Sequence, residues 1–127
     1  MIRRTPRSTL YPFMKTVIDY LQGKNLIFKS FKAVMPKALG SRKRVEIYLG
    51  VDLKSYYSIV IRIEKKSRIL RKEAGELMLL HEKLESHTDA KIKKKYMIVK
   101  APLCSKAKKL LEEDGWKVFV ISQQSEE

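Results

Sequence analysis

The stretch "YYSIVIRIEKKSR", residues 56–68, places a carboxylate and an ammonium, Glu64 and Lys66, two positions apart at the end of the most strand-like run of the chain. Alternation along a strand sends both to one face, about 6.6 Å apart, and sends Lys65 to the other. Asp52 closes the preceding run, "VEIYLGVD" at 45–52. These three charged side chains are the first candidates for chemistry. Spacing leaves the hairpin register open, and with it whether Asp52 and Glu64 meet. Two plainer readings stand beside it. Asp52 opens the turn "DLKS", where aspartate commonly hydrogen-bonds its own backbone, and Glu64 with Lys66 makes an ordinary pair at a solvated strand end. Glu46 shares the face of Asp52 but lies about 20 Å along the strand from it. That is too far for one metal, and Glu46 reads as a solvated or paired acid. His81 reads as a packed histidine, and Cys104, with no paired histidine in view, as a packing residue.

The elements that must hold these residues follow from periodicity. Leu10, Phe13, Met14, Val17, Ile18 and Leu21 form one helical stripe, with Ser8 or Thr9 as cap, Pro12 in the first turn and Gly23 as stop. "NLIFKSFKAVM" (25–35) alternates as a half-buried strand, and "PKALGSRKR" (36–44) is a basic loop. Strands at 45–52 and 56–66 come next. The period then changes to 3.6, with Leu70, Ala74, Leu77, Met78, His81 and Leu84 on one side of a helix ending near Ser86. "HTDAKIKKK" (87–95) reads as a charged loop, "YMIVKAP" (96–102) as a short strand and "SKAKKLLEEDGW" as a helix stopped by Gly115. "KVFVI" (117–121) is a last strand. The order α-β-β-β-α-β-α-β predicts an α/β fold: a mixed sheet, part antiparallel and part parallel, with helices on both faces. Strand 56–66 is expected at its centre, paired to 45–52, with Ile59, Ile61 and Ile63 buried beneath a helix. We read residues 1–127 as a single domain with a basic arm at 1–7 and a frayed tail at 122–127.

Charge narrows the partner. The chain carries 28 Lys and Arg against 14 Asp and Glu, a net +14. Residues 1–44 alone hold eleven basic side chains against Asp19. Solubility needs far less, so a polyanion is the natural partner; the plainer reading is a cationic surface with no specific partner. No basic amphipathic helix with an aromatic face suggests a membrane surface. One cysteine forbids an internal disulfide, no run reaches 18 apolar residues, and "MIRRTPRST" lacks the apolar core of a signal peptide. The expectation is a soluble cytoplasmic protein.

With these elements in place, "GVD" at 50–52 followed after eleven residues by "IEKKSR" at 63–68 resembles the metal-dependent PD-(D/E)xK nuclease superfamily, whose element order matches the one just read. "IEKKSR" is similar to archaeal Holliday junction resolvases, and "KYMIVKAPLCSKAKKLLEEDGWKVFVI" to the closing strand-helix-strand of a mismatch-type endonuclease group. The resemblance implies a restriction-endonuclease-like fold and a DNA endonuclease, with branched or structured DNA among its substrates. Asp52 and Glu64 would hold Mg²⁺ or Mn²⁺ together with the backbone carbonyl of Lys65. Lys66 would orient the attacking water or stabilise charge on the scissile phosphate. DNA would be the partner, with RNA left open, and a homodimer is expected if the resolvase reading holds. The nucleic-acid contacts would come from Arg3, Arg4, Arg7, Lys37, Arg42, Lys43, Arg44, Arg62 and Arg68. The alternative is a nuclease fold that binds DNA or RNA and no longer cuts.

The chain departs from the family's pattern in places. Val51 stands where proline is frequent. Arg62 occupies a position that is usually apolar, from which it reaches DNA or pairs with an acid. "KEAGEL", with Glu73 and Glu76, replaces a frequent glutamine, and Asp19 is either a third carboxylate or a surface charge.

Overall fold

The computed structural model describes residues 14–40 and 45–121. The basic arm, the tail, the expected helix cap with Leu10, Pro12 and Phe13, and Arg42, Lys43 and Arg44 lie outside the described residues. Among the described residues the elements are α1 (Met14–Gly23), β1 (Phe28–Val34), a 3-10 turn (Pro36–Leu39), β2 (Glu46–Asp52), β3 (Tyr57–Glu64), α2 (Arg71–Thr88), β4 (Ile92–Lys100), α3 (Ser105–Glu113) and β5 (Trp116–Val120). This is the expected order.

The five strands form one sheet in sequence order. β1–β2 and β2–β3 pair antiparallel, and β3–β4 and β4–β5 pair parallel. β3 is central because its side chains tolerate burial on both faces. Ile59, Ile61 and Ile63 face the side covered by α2 and α3, among Ile47, Leu49, Ala74, Leu77, Met97, Ala107 and Leu111. Val60 faces the other side, with Val17 and Leu21 of α1 and with Tyr48, Tyr96 and Ile98. Each fully buried isoleucine contributes roughly 1.5–3 kcal/mol of transfer free energy. Gly50 is where β2 passes beneath aromatic rings: a Cβ there would lie 2.8 Å from Phe28 Cδ1 and 3.1 Å from Phe31 Cδ1.

Three expectations are corrected. β3 ends at Glu64 rather than at residue 66, so Lys66 sits in the bend beyond the strand and alternation no longer fixes its direction. Residues 92–95 are strand, not loop, since β4 is hydrogen-bonded on both sides and Lys95 stands level with both Ile59 and Trp116. Neighbouring strands supply the order that the lysine-rich composition hides. Leu70, expected on the apolar stripe, precedes α2 and is exposed. His81 is packed as expected, its ring 6.4 Å edge-on to Trp116 and its Nε2 2.9 Å from the Ile92 carbonyl. No described helix is long and apolar enough to cross a membrane.

Candidate acidic site at the carboxyl end of the sheet

The register of the β2–β3 hairpin decides which acids can meet. Val51 lies opposite Tyr57 and Glu46 opposite Arg62. Asp52 is therefore at the turn, where β3 begins, while Glu64 is where β3 ends. The length of β3, roughly 23 Å at about 3.3 Å per residue, separates them. The expected pair Asp52–Glu64 is not brought together and cannot share a metal ion.

What Asp52 does instead is local. Its Oδ1 accepts hydrogen bonds from the backbone N–H of Lys54 and of Tyr56, both at 2.9 Å, and its Oδ2 lies 3.1 Å from Lys94 Nζ on β4. Ser55 completes the turn with φ 71°. Burial by itself would push the Asp52 carboxyl up. The hydrogen bonds from Tyr56, Lys94 and Lys54 and the charge of Lys94 outweigh it and hold the group below its ordinary range. Hydrogen bonding to Asp52 in turn raises Lys94. Asp52 is a turn-holding acid, the plainer of its two readings.

The carboxylate that shares a partner with Glu64 is Glu46. Both are on the α1 side of the sheet, and Arg62 stands between them. Arg62 Nη1 donates to Glu46 Oε2 at 3.2 Å and Nη2 to Glu64 Oε1 at 2.8 Å. The buried Tyr48 hydroxyl donates to Glu46 Oε1 at 2.7 Å. Glu64 Oε2 lies 4.0 Å from Lys100 Nζ, whose residue is level with Glu64 on parallel β4. The Arg62 side chain is only 11% exposed and that of Glu64 44%, so the site has a covered cation and an open carboxylate. It lies at the carboxyl ends of parallel β3 and β4, where open α/β sheets receive ligands.

Along β2 Glu46 is far from Asp52, and that distance hides how near it lies to the end of β3. The usable signal was the antiparallel hairpin itself, which returns the end of β3 to the start of β2.

The other expected residues are spread about. Lys65 points to the opposite face and pairs with Glu73 of α2 at 2.7 Å, while its N–H meets the Lys100 carbonyl at 3.3 Å. Lys37, Lys66 and Arg68 are exposed. Arg62 serves the two acids rather than standing open for DNA. Asp19 is exposed on α1. Backbone N–H groups of Ala107 and Lys106 at the start of α3, aided by the charge of Arg68, lower the Cys104 thiol despite some opposing burial. Arg3, Arg4, Arg7, Arg42, Lys43 and Arg44 lie outside the described residues.

Glu46 and Glu64 suit a hard divalent cation in kind, since Mg²⁺ is commonly held by one or two carboxylates with water and phosphate completing the shell. Among the described residues no group of three or more His, Cys, Asp or Glu side chains is arranged to hold a metal ion. Two carboxylates alone would leave most of an ion's shell to water and phosphate, and in this structure Arg62 stands between them.

No protein-family model matches the chain, and no curated protein matches it. Solved structures do. The structure of EndoMS in apo form matches with TM-score 0.55 and 17% identity over 95% of this chain and 48% of that one. The EndoMS–dsDNA2 complex matches with TM-score 0.50 and 17% identity over 96% and 47%. A repair endonuclease from Pyrococcus abyssi matches with TM-score 0.50 and 13% identity over 96% and 48%. The chain spans about half the length of these structures. At such identities the likeness shows the fold, a restriction-endonuclease-like mixed sheet, and the residues must argue the rest.

Proposed function

We propose that this chain binds nucleic acid and hydrolyses DNA phosphodiester bonds with Mg²⁺ or Mn²⁺, as a member of the PD-(D/E)xK superfamily. The observation that carries the reading is the meeting of Glu46 and Glu64 on one guanidinium at the carboxyl end of β3. Support comes from a fold shared with EndoMS, which has been seen with double-stranded DNA, and with a repair endonuclease, and from a net charge of +14. Glu46 and Glu64 would hold the ion, with the Lys65 carbonyl as a further donor, and Lys66 would meet the phosphate. When bound, the ion supplies Lewis-acid polarisation and a water of lowered pKa. Tyr48 fixes the orientation of Glu46 through its hydroxyl, and the Lys65–Glu73 pair steadies the segment after β3. The basic surface, including Lys37 and Arg68, would track the phosphate backbone. Branched DNA is the proposed substrate, and action at a four-way junction would call for a homodimer.

Arg62 favours a second reading, a nuclease fold that binds DNA or RNA without cutting, because the chain's own cation already pairs with both acids. The deciding experiment is incubation of supercoiled, single-stranded and four-way-junction DNA with Mg²⁺ or Mn²⁺, then with EDTA. Cleavage that EDTA and Glu64→Gln both abolish establishes the first reading. Binding without cleavage of any of the three establishes the second.

A further inference from the structure

Arg62 divides its guanidinium between two carboxylates, one arm to each, in a position only 11% exposed. A guanidinium does not lose its proton in a protein, so this charge can leave the acids only by moving. The backbone beneath it is fixed, with Ile61 and Ile63 buried on the opposite face and β3 paired on both sides. Any change of place is therefore confined to the side chain. Lys100, 4.0 Å from Glu64 on the neighbouring strand, remains as a weaker partner when it does. The planar fork that grips two carboxylates also matches the oxygens of a phosphodiester.

From this arrangement we infer that Arg62 is the resident counter-ion of the Glu46–Glu64 pair and competes with a divalent cation for it, so that the pair takes up metal only when Arg62 turns away. The inference deepens the proposed function and rests on Glu46 and Glu64 being the metal-binding acids. Its consequence is a site that charges weakly with metal in the free protein. A nucleic-acid phosphate that draws Arg62 off the acids would favour loading, because two ligands that each displace the same contact favour one another's binding.

Calorimetric titration with Mn²⁺ alone, without nucleic acid, tests the competition. Arg62→Met keeps the length of the aliphatic stem and removes the charge. It should bind Mn²⁺ about tenfold or more tightly than the unchanged chain, within the ordinary range of coupling. The gain should vanish in Arg62→Met combined with Glu64→Gln, which places it at this site. Equal Mn²⁺ affinity of Arg62→Met and the unchanged chain overturns the inference, as does a gain that survives Glu64→Gln. Should circular dichroism show Arg62→Met unfolded, Arg62→Gln decides, since its amide can still hydrogen-bond an acid but carries no charge; Mn²⁺ must again bind more tightly, and equal affinity overturns the inference. The nuclease reading fails separately: a tighter Mn²⁺ site in a chain that cuts no DNA leaves the competition standing and removes the activity.

Discussion

Glu46 accepts a hydrogen bond from the Arg62 guanidinium at 3.2 Å across the β2–β3 ladder, so the first residue of β2 is tied to the closing residues of β3. An acid 16 positions away in sequence from its arginine is thereby joined, through that arginine, to Glu64.

Catalysis should divide the acids accordingly. Glu46→Ala and Glu64→Ala should each reduce metal-dependent cleavage by about 100-fold or more, the range for loss of a group that stabilises transition-state charge. Asp52→Ala should cut at close to the normal rate. Single-turnover cleavage of one labelled duplex measures all three, and an inactive, folded Asp52→Ala would return Asp52 to the site.

Asp52 should reveal itself through acid stability. Its native pKa lies below the ordinary 3.8, so the contribution is complete above that value and is lost as pH falls through the lowered native one. Lys94 is the mirror case: raised above 10.5, it contributes below that value and loses the contribution as pH rises through its native one. Asp52→Asn should therefore flatten the acid limb of a plot of urea midpoint against pH. It should also lower stability at neutral pH, because the turn's two N–H groups lose their charged acceptor.

Beneath the site, the core should behave as a packed interior. Ile61→Ala, at a fully buried position, should cost about 2–5 kcal/mol in urea unfolding. Gly50→Val should cost about 1–3 kcal/mol, because the new side chain must displace the Phe28 and Phe31 rings that already lie within 3.1 Å of where its Cβ would be.

Lys65→Ala should be mild. Its side chain pairs with Glu73 away from the acids, with partial exposure of both partners, and such pairs contribute up to about 1 kcal/mol. Cleavage should be nearly unchanged, since the backbone carbonyl is kept. A dead Lys65→Ala beside an active Lys66→Ala would assign the phosphate contact to Lys65.

Nucleic-acid affinity should be governed by phosphate contacts. If about six phosphates are neutralised, log K should fall against log salt with a slope near −5. Charge reversal at Arg42, Lys43 and Arg44 should weaken binding to every sequence alike, which fluorescence anisotropy at several salt concentrations will show. Affinity that ignores salt would contradict it.

The central strand was legible because Ile59, Val60, Ile61 and Ile63 in succession suit burial on two faces, and few other positions in a fold ask for that. The faces of Glu46, Asp52 and Glu64 were legible for the same reason, since alternation is local. Which of them meet was not. Register depends on where the turn closes, and that is settled by Asp52 hydrogen-bonding to Lys54 and Tyr56 and by Ser55 adopting positive φ. The motif spacing pointed to Asp52, the acid nearest in sequence, which the hairpin leaves at the opposite end of β3 from Glu64. The start of β4 was hidden in the same way. Lys93, Lys94 and Lys95 look like loop, and only pairing to β3 and β5 makes them strand.

The sheet's change from antiparallel to parallel at β3 also separates short-range from long-range chain closure. β1, β2 and β3 close on their neighbours along the chain, at low loop-closure entropy, whereas β4 reaches β3 only after α2 has been laid across the sheet. Glu46, Arg62 and Glu64 all belong to the early meander, and Lys100 arrives with the late crossover. A kinetic experiment would therefore find the arginine-bridged acids formed before the barrier and the lysine beside them only after it. The two carboxylates would then share one guanidinium while β4 docks, and the negative charge left over would favour the arrival of Lys100.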